Sequence, residues 1–372
     1  MSRDLVVLSH LRWVFVWQRP QHLISRISDR YDRTWFVEEP MPGDVTTPTL
    51  RREDHGPITR VWLEMPQAAQ CNGFDPTASE LYSSLLPHAF GESNDRTVWL
   101  YTPMALDVAR VLEPDLLVYD VMDDLAAFAF APAGVVLRQR QALRDADVVF
   151  AGGRSLHRGV AEHRQSAQCF PSGVEPEHYA TAIKLRAARR TRSRRPVAGY
   201  VGVIDERIDL GLVEGLARKL GDWDIHMVGP VVKIDSAALP RAENLIYPGS
   251  RQYSELPGTM ANFDVALMPF ALNEATRSIS PTKTLEYLAA GLPVVSTRVP
   301  DVVADYDGIV YLRDDAAGFA DASVDALDEC NIARAERCAP ILRDQHWDTI
   351  AARMAEQVEG ARVQAAAAQD TA

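Results

Sequence analysis

The chain has 372 residues, of which 47% are hydrophobic and 24% charged. That composition excludes a mainly disordered protein, and at roughly 150 residues per domain it supplies two large cores. With 39 Lys and Arg against 51 Asp and Glu the net charge is −12, which speaks against general nucleic-acid binding and leaves room only for a local basic site serving a small anion. The four cysteines, Cys71, Cys169, Cys330 and Cys338, contain no Cys-x-x-Cys pair. They are too sparse for a disulfide framework, so reduced thiols, no zinc site and a cytoplasmic location are expected. The apolar run at 5–8 is too short for a signal-peptide core, and nothing approaches the roughly 20 apolar residues of a membrane span.

Taken in chain order, short apolar runs alternate with stretches of helical period. A strand at 5–8 is followed by a helix at 20–27, with Leu23, Ile24 and Ile27 on one face. Strands are expected at 35–37, 61–63, 98–101, 116–119 and 148–150. Continuous apolar strands with helices between them predict a parallel sheet covered on both faces. The pattern breaks at 171–196, where Pro171-Ser172-Gly173-Val174 and an arginine-rich run before Pro196 read as a helix end and linker. A second series follows: a strand at 197–201, a helix at 210–220, and strands at 225–228, 245–247, 265–268, 294–295 and 309–311. No sequence repeat joins the halves. The architecture repeats, predicting two doubly wound α/β domains in tandem. Trp347, Ile350, Met354 and Val358 stand at helical spacing and predict a packing helix, with a frayed end at 365–372.

Open parallel sheets bind ligands at the carboxyl ends of their strands. The strongest candidate is the helix start at 280–286. Ser280 suits the N-cap, Pro281 the first turn and Gly291 the stop. The backbone N–H groups of Thr282 and Lys283 and the helix dipole favour an anion there. Lys283 places a cation where acidic residues are usual, a mismatch that a bound phosphate would resolve. Glu286, three residues on, shares its face and could accept two ribose hydroxyls, although a solvated Lys–Glu pair on an ordinary helix fits the same residues. Gly202 permits close backbone approach after the strand at 197–201, and Arg207 could reach a phosphate. Lys233, after Gly229-Pro230, is a similar candidate. In the first half, the loop at 11–22 carries Trp17, Arg19 and His22, a composition suited to stacking and hydroxyl recognition, as sugars require. Trp13, Phe15 and Trp17 also alternate as a core strand would. Asp120, Asp123 and Asp124 follow the strand at 116–119 and could hold a base, orient a hydroxyl, bind a metal or cap a helix.

Several of these segments together resemble a known family. The run from Pro281-Thr282-Lys283 through Glu286-Tyr287-Leu288-Ala289-Ala290-Gly291 to Ser296 resembles the donor-site helix of retaining GT-B glycosyltransferases, the large class that includes sucrose synthases and bacterial mannosyltransferases. Phe170 to Glu175 resembles the hinge of that class, and Asp264 to Pro269 its strand before the donor loop. Trp17-Gln18-Arg19-Pro20-Gln21-His22-Leu23 is similar to a bacterial subgroup related to teichuronic-acid glycosyltransferases.

The resemblance implies a GT-B fold, two Rossmann-like doubly wound domains facing a central cleft. The acceptor-side domain would span 1–174 and the nucleotide-sugar domain 175–345, with 346–372 packing back across the hinge. It implies transfer of a sugar from a nucleoside-diphosphate sugar, with retention and without a metal or other cofactor, the nucleotide sugar being a co-substrate. The acceptor would be a small molecule or glycan, and a peripheral membrane contact is compatible with the chain. Residue by residue, Glu286 matches the second acid of the family's Glu-x7-Glu motif and Ser278 stands at the first. Glu274, in a loop about four residues longer than usual, is then the expected substitute, with Asp120 and Asp123 as further catalytic acids. Val203 stands near the family's phosphate-binding Arg and Arg207 near its Lys. The rival expectations are a nucleotide-sugar epimerase or hydrolase of the same fold and a catalytically lapsed nucleotide-sugar-binding protein.

Overall fold

The computed structural model describes residues 2–69, 73–127, 134–188, 195–277, 279, 282–329 and 331–369. The chain divides into two units, one of Met1–Pro171 with Asp348–Ala372 and one of Ser172–Trp347. The sequence placed these boundaries at 174/175 and 345/346. Val174, read there as hinge, lies inside the second unit. Its N–H donates to the Gln345 carbonyl at 2.9 Å and its carbonyl accepts from Trp347 at 3.1 Å.

The first unit is built on β1 (Arg3–Leu8), β2 (Arg33–Val37), β3 (Met41–Gly43), β4 (Thr49–His55), β5 (Ile58–Pro66), β6 (Asp95–Leu100), β7 (Leu116–Val121), β8 (Val148–Ala151) and β9 (Gln168–Cys169). The order β5–β2–β1–β6–β7–β8–β9 is parallel throughout, and β3 also pairs parallel with β5. The chain winds outward from β1 to β5, then returns to lay β6 on the other side of β1. That reversal is the topological switch point of an open α/β sheet. Leu5 to Leu8, Val98 to Leu100 and Leu116 to Val121 are buried, as continuous apolar runs in a covered sheet require.

One strand departs from the all-parallel expectation. β4 pairs antiparallel with β5, from Thr49↔Glu64 to His55↔Ile58. Its sequence, TLRREDH, is polar and mostly exposed, so a search for apolar runs passes over it. The alternating Trp13, Phe15 and Trp17 form no strand; only Trp13 is buried. The helix Trp347–Gln369 packs from Asp348 onward on this unit through Ile350, Met354 and Val358, all buried. Its Arg362 pairs with Asp95, and its Glu359 with Arg3.

The second unit holds β10 (Val197–Val201), β11 (Asp224–Val228), β12 (Leu245–Gly249), β13 (Val265–Met268), β14 (Val294–Ser296) and β15 (Tyr311–Leu312). Their order, β12–β11–β10–β13–β14–β15, is wholly parallel. In chain order this is 3-2-1-4-5-6, the dinucleotide-binding arrangement, with its switch point between β10 and β13. Asp264 accepts from the Val197 N–H at 2.8 Å and ties the starts of those two strands together. Asp209 caps the helix Leu210–Lys219 by accepting from Leu212 N–H at 2.8 Å.

Candidate active site

At the carboxyl end of β10 the chain passes directly into Gly202, and at the end of β11 into Gly229. Both adopt positive φ, 153° and 149°, where a side chain would strain the backbone. Space forbids one as well. A Cβ on Gly229 would stand 1.8 Å from the Gly202 carbonyl oxygen, and a Cβ on Gly202 would stand 2.0 Å from Cε of Lys283. The glycines therefore bring two loops into backbone contact and let the Lys283 side chain lie across Gly202, at the switch point of the sheet.

Lys283 is the second residue of the helix Thr282–Ala289 and is half-buried. Burial pushes its pKa down and the Arg207 guanidinium adds to that, while Glu286 and Asp205 oppose it. Its ammonium forms no ion pair among the described residues. Glu286, one turn on, is also half-buried. Burial pushes its carboxyl up, against the pull of Lys283 and the Thr282 hydroxyl. A half-buried cation at a helix N-terminus, beside a second cation, is an environment made for an anion.

Arg207 reaches this place in a fixed pose. Its guanidinium donates to both oxygens of buried Asp205, at 2.7 to 3.1 Å. Lys233, at φ 64° on the loop after β11, lies 3.9 Å from Glu206 on the loop of Arg207. The structure thus brings Gly202, Arg207, Thr282, Lys283 and Glu286 together, with Lys233 at the edge. Ser280 lies outside the described residues, as does Ser278.

Three groups escaped the sequence reading. Gly229 stood in a loop noted only for Lys233. Asp205 carries a legible signal, an acid two residues before the arginine it holds. His178 and Tyr179, charge neighbours of Glu286, come from the helix Pro176–Ala187 within the stretch read largely as linker. The His178 ring stacks on Tyr253 at 4.2 Å, and Tyr253 Oη donates to Glu175 at 2.5 Å.

Glu274 is not gathered into the group. It begins the short helix Glu274–Arg277, its side chain is 77% exposed, and it pairs with Arg277 at 3.2 Å. In the first unit, Arg19 and Asp120, expected to serve acceptor binding and catalysis separately, are partners. The Arg19 guanidinium donates to both Asp120 oxygens at 2.9 to 3.1 Å and to the Phe170 carbonyl at 2.7 Å, with both side chains buried. A chelated, buried carboxylate is a holding element first. Asp123 stands half-buried two residues past β7. His22 is buried against the edge of Trp17, their rings 5.2 Å apart, and Trp17 is 38% exposed. Among the described residues no three His, Cys, Asp or Glu side chains gather as metal ligands, and no helix is long and apolar enough to cross a membrane.

The sheet order, the glycine loops and the cationic helix start fall within one stretch of sequence, and that stretch matches a family. Residues 195–329 fit the description of glycosyl transferases group 1. That match lies within the second unit. A protein described as a teichuronic acid biosynthesis glycosyltransferase, TuaH of Bacillus subtilis (strain 168), is 28% identical over 178 residues. That likeness takes in 45% of this chain and 45% of TuaH, so the chain spans under half of that relative's length in the match. Among solved structures, the E. coli trehalose-6-phosphate structure bound with UDP-2-fluoro glucose superposes at a TM-score of 0.72 with 13% identity, covering 95% of this chain and 98% of that one. Sucrose-phosphate synthase from Thermosynechococcus elongatus gives 0.70 with 12% identity, covering 97% and 99%. These likenesses show the fold: the chain is a GT-B protein. Lys283, Glu286 and Gly202 all fall within the matched residues.

Proposed function

We propose that the protein is a glycosyltransferase that moves a sugar from a nucleoside-diphosphate sugar to a small-molecule or glycan acceptor. The observation that carries this reading is Lys283 lying over Gly202 at the β10/β13 switch point. A cation with no ion-pair partner among the described residues is held there at the start of a helix. In this reading the diphosphate is taken by Lys283, Arg207 and the N–H groups at Thr282 and Lys283, and Glu286 receives the ribose. The bound UDP-2-fluoro glucose of the E. coli fold relative supports a nucleotide sugar as the ligand class.

Chemistry then rests on stabilising the leaving diphosphate and positioning the acceptor, in place of a protein nucleophile. Transfer proceeds with retention and with neither a metal nor another cofactor, in the cytoplasm. The donor belongs to the second unit and the acceptor to the first. Glu274, in the longer loop after β13, meets the sugar when donor is bound.

Lys283→Ala tests the reading by calorimetry. Binding of a nucleoside diphosphate should weaken by about 1.5–3 kcal/mol, the range for a charge-assisted hydrogen bond, while the bare nucleoside binds as before. Equal loss for both ligands would show that the variant had merely loosened the helix.

A further inference from the structure

The first unit has its own switch point, between β1 and β6, and its hydrogen-bonding groups can be followed one by one. Beyond β1 the backbone divides. Ser9 N–H donates to Val37 on the β2 side at 2.9 Å, and the Leu8 carbonyl accepts from Tyr101 on the β6 side at 2.9 Å. His10 is the next residue. Around it several polar side chains are engaged, while the buried Tyr101 Oη and Trp99 Nε1 make no hydrogen bond. Ser9 Oγ accepts from Leu11 N–H at 3.0 Å, Glu38 accepts from Trp13 N–H at 2.7 Å and from Arg60 at 2.8 Å, and Asp120 holds Arg19. Gln21 donates to the carbonyls of Arg12 and Val16.

His10 differs from Tyr101 and Trp99 in standing on the loop, partly open to solvent. Its Nδ1 is buried without a hydrogen-bond partner, while the residue as a whole stays partly exposed. Burial pushes the imidazolium pKa down to about 4, against the Tyr101 backbone, which approaches the ring as a weak hydrogen-bond acceptor and raises it. The ring is neutral at pH 7. A neutral ring that carries its proton on the inward Nδ1 keeps a lone pair on Nε2. The same loop presents Val14, Phe15 and Val16, each at least 40% exposed, with Trp17 tilted against buried Trp13 at 6.2 Å. Hydroxyl acceptors beside aromatic and apolar faces match the two surfaces of a sugar.

We propose that His10 is a specificity residue for a polyhydroxylated acceptor, accepting a hydrogen bond from one acceptor hydroxyl through Nε2. This inference rests on the glycosyltransferase reading, and its test is arranged so that the two fail separately. Long-range imidazole 1H–15N spectra of the full-length protein, assigned with His10→Gln, report the tautomer directly. The expected result is Nδ1–H at pH 7, with the Nε2 resonance moving on addition of at least one of methyl α-glucoside, methyl α-mannoside and methyl β-galactoside. Nε2–H in the free protein, or an Nε2 signal that none of the three sugars moves, overturns the proposal.

Function gives a second readout. Gln places its amide near the position of Nε2 and Asn near that of Nδ1. For whichever probe sugar serves as acceptor, KM should rise about tenfold or more in His10→Ala and His10→Asn, equivalent to about 1.4 kcal/mol. His10→Gln should stay within about threefold of wild type, as the retained acceptor atom requires. An unchanged KM in His10→Ala overturns the assignment. UDP, GDP and ADP binding should be the same in all variants; wild-type protein that binds none of them would sink the donor reading instead.

Discussion

Lys283 and Glu286 were legible because three residues of helix bring them to one face, and spacing within a helix survives translation into space. Their roles separate by what each can touch. Glu286→Gln should weaken binding of the free nucleoside diphosphate, since a ribose contact is present in product as well as donor. Glu274→Gln should lower turnover and leave product affinity nearly intact, because a ligand lacking the sugar cannot feel a contact made to it. Wild-type turnover in Glu274→Gln would remove that residue from the site.

Asp120 shows the opposite case. Its type drew attention, but its partner Arg19 stands 101 residues away in the chain, and nothing in one sequence links the two. Glu39 was passed over for the same reason. Burial pushes its carboxyl from 4.5 up to about 7, against the opposing charge of Arg12. The folded state therefore binds this proton more tightly than the unfolded state. Stability should fall as pH rises from about 4.5 to about 7 and level off above. Glu39→Gln should flatten that limb and gain on the order of 2 kcal/mol at pH 8, after discounting for partial solvent screening. Urea melts at pH 5 and pH 8 check this, and equal differences at both pH values would contradict it.

At the scale of elements, apolar runs located the buried strands because both faces of each parallel sheet are covered. β10 and β13 were bounded to the residue, and the other runs fell within or beside the observed strands. The same criterion missed β4, whose side chains face water, and the short β3 and β9, of three and two residues. The helix Arg19–Ile27 was legible from its apolar face, but the force anchoring its first turn was not. Arg19 ties that turn to β7 and to Phe170. Asp120→Ala should cost about 3–5 kcal/mol, the penalty for leaving a buried guanidinium uncompensated. Chemical denaturation would read it, and a loss under about 1 kcal/mol, the worth of an exposed pair, would mean that water reaches the guanidinium.

For the whole molecule, the return of the C-terminal helix to the first unit makes that unit discontinuous in sequence. Removing residues 348–372 strips Ile350, Met354 and Val358 from its surface. At about 1.5–3 kcal/mol for each buried side chain, the loss rivals the total stability of a domain. Calorimetry of the truncated chain should show the first unit melting far lower, while nucleoside-diphosphate affinity in the second persists. An unaltered melting profile would mean that the helix adds nothing.

β4 has a consequence of its own. It pairs with β5 and with no other described strand, so its outer side is a row of backbone donors and acceptors open to any passing chain. Arg51, Arg52, Glu53 and Asp54 stand along it, with Arg51 held by Glu64 and Glu53 by Arg60. Charges on a sheet border resist edge-to-edge growth, because a second copy would have to bury them. The polar strand that a search for apolar runs cannot see is a guard against polymerisation. Replacing its four charged residues with threonine and valine would leave the pairing with β5 in place and give the sheet a border on which filaments could start.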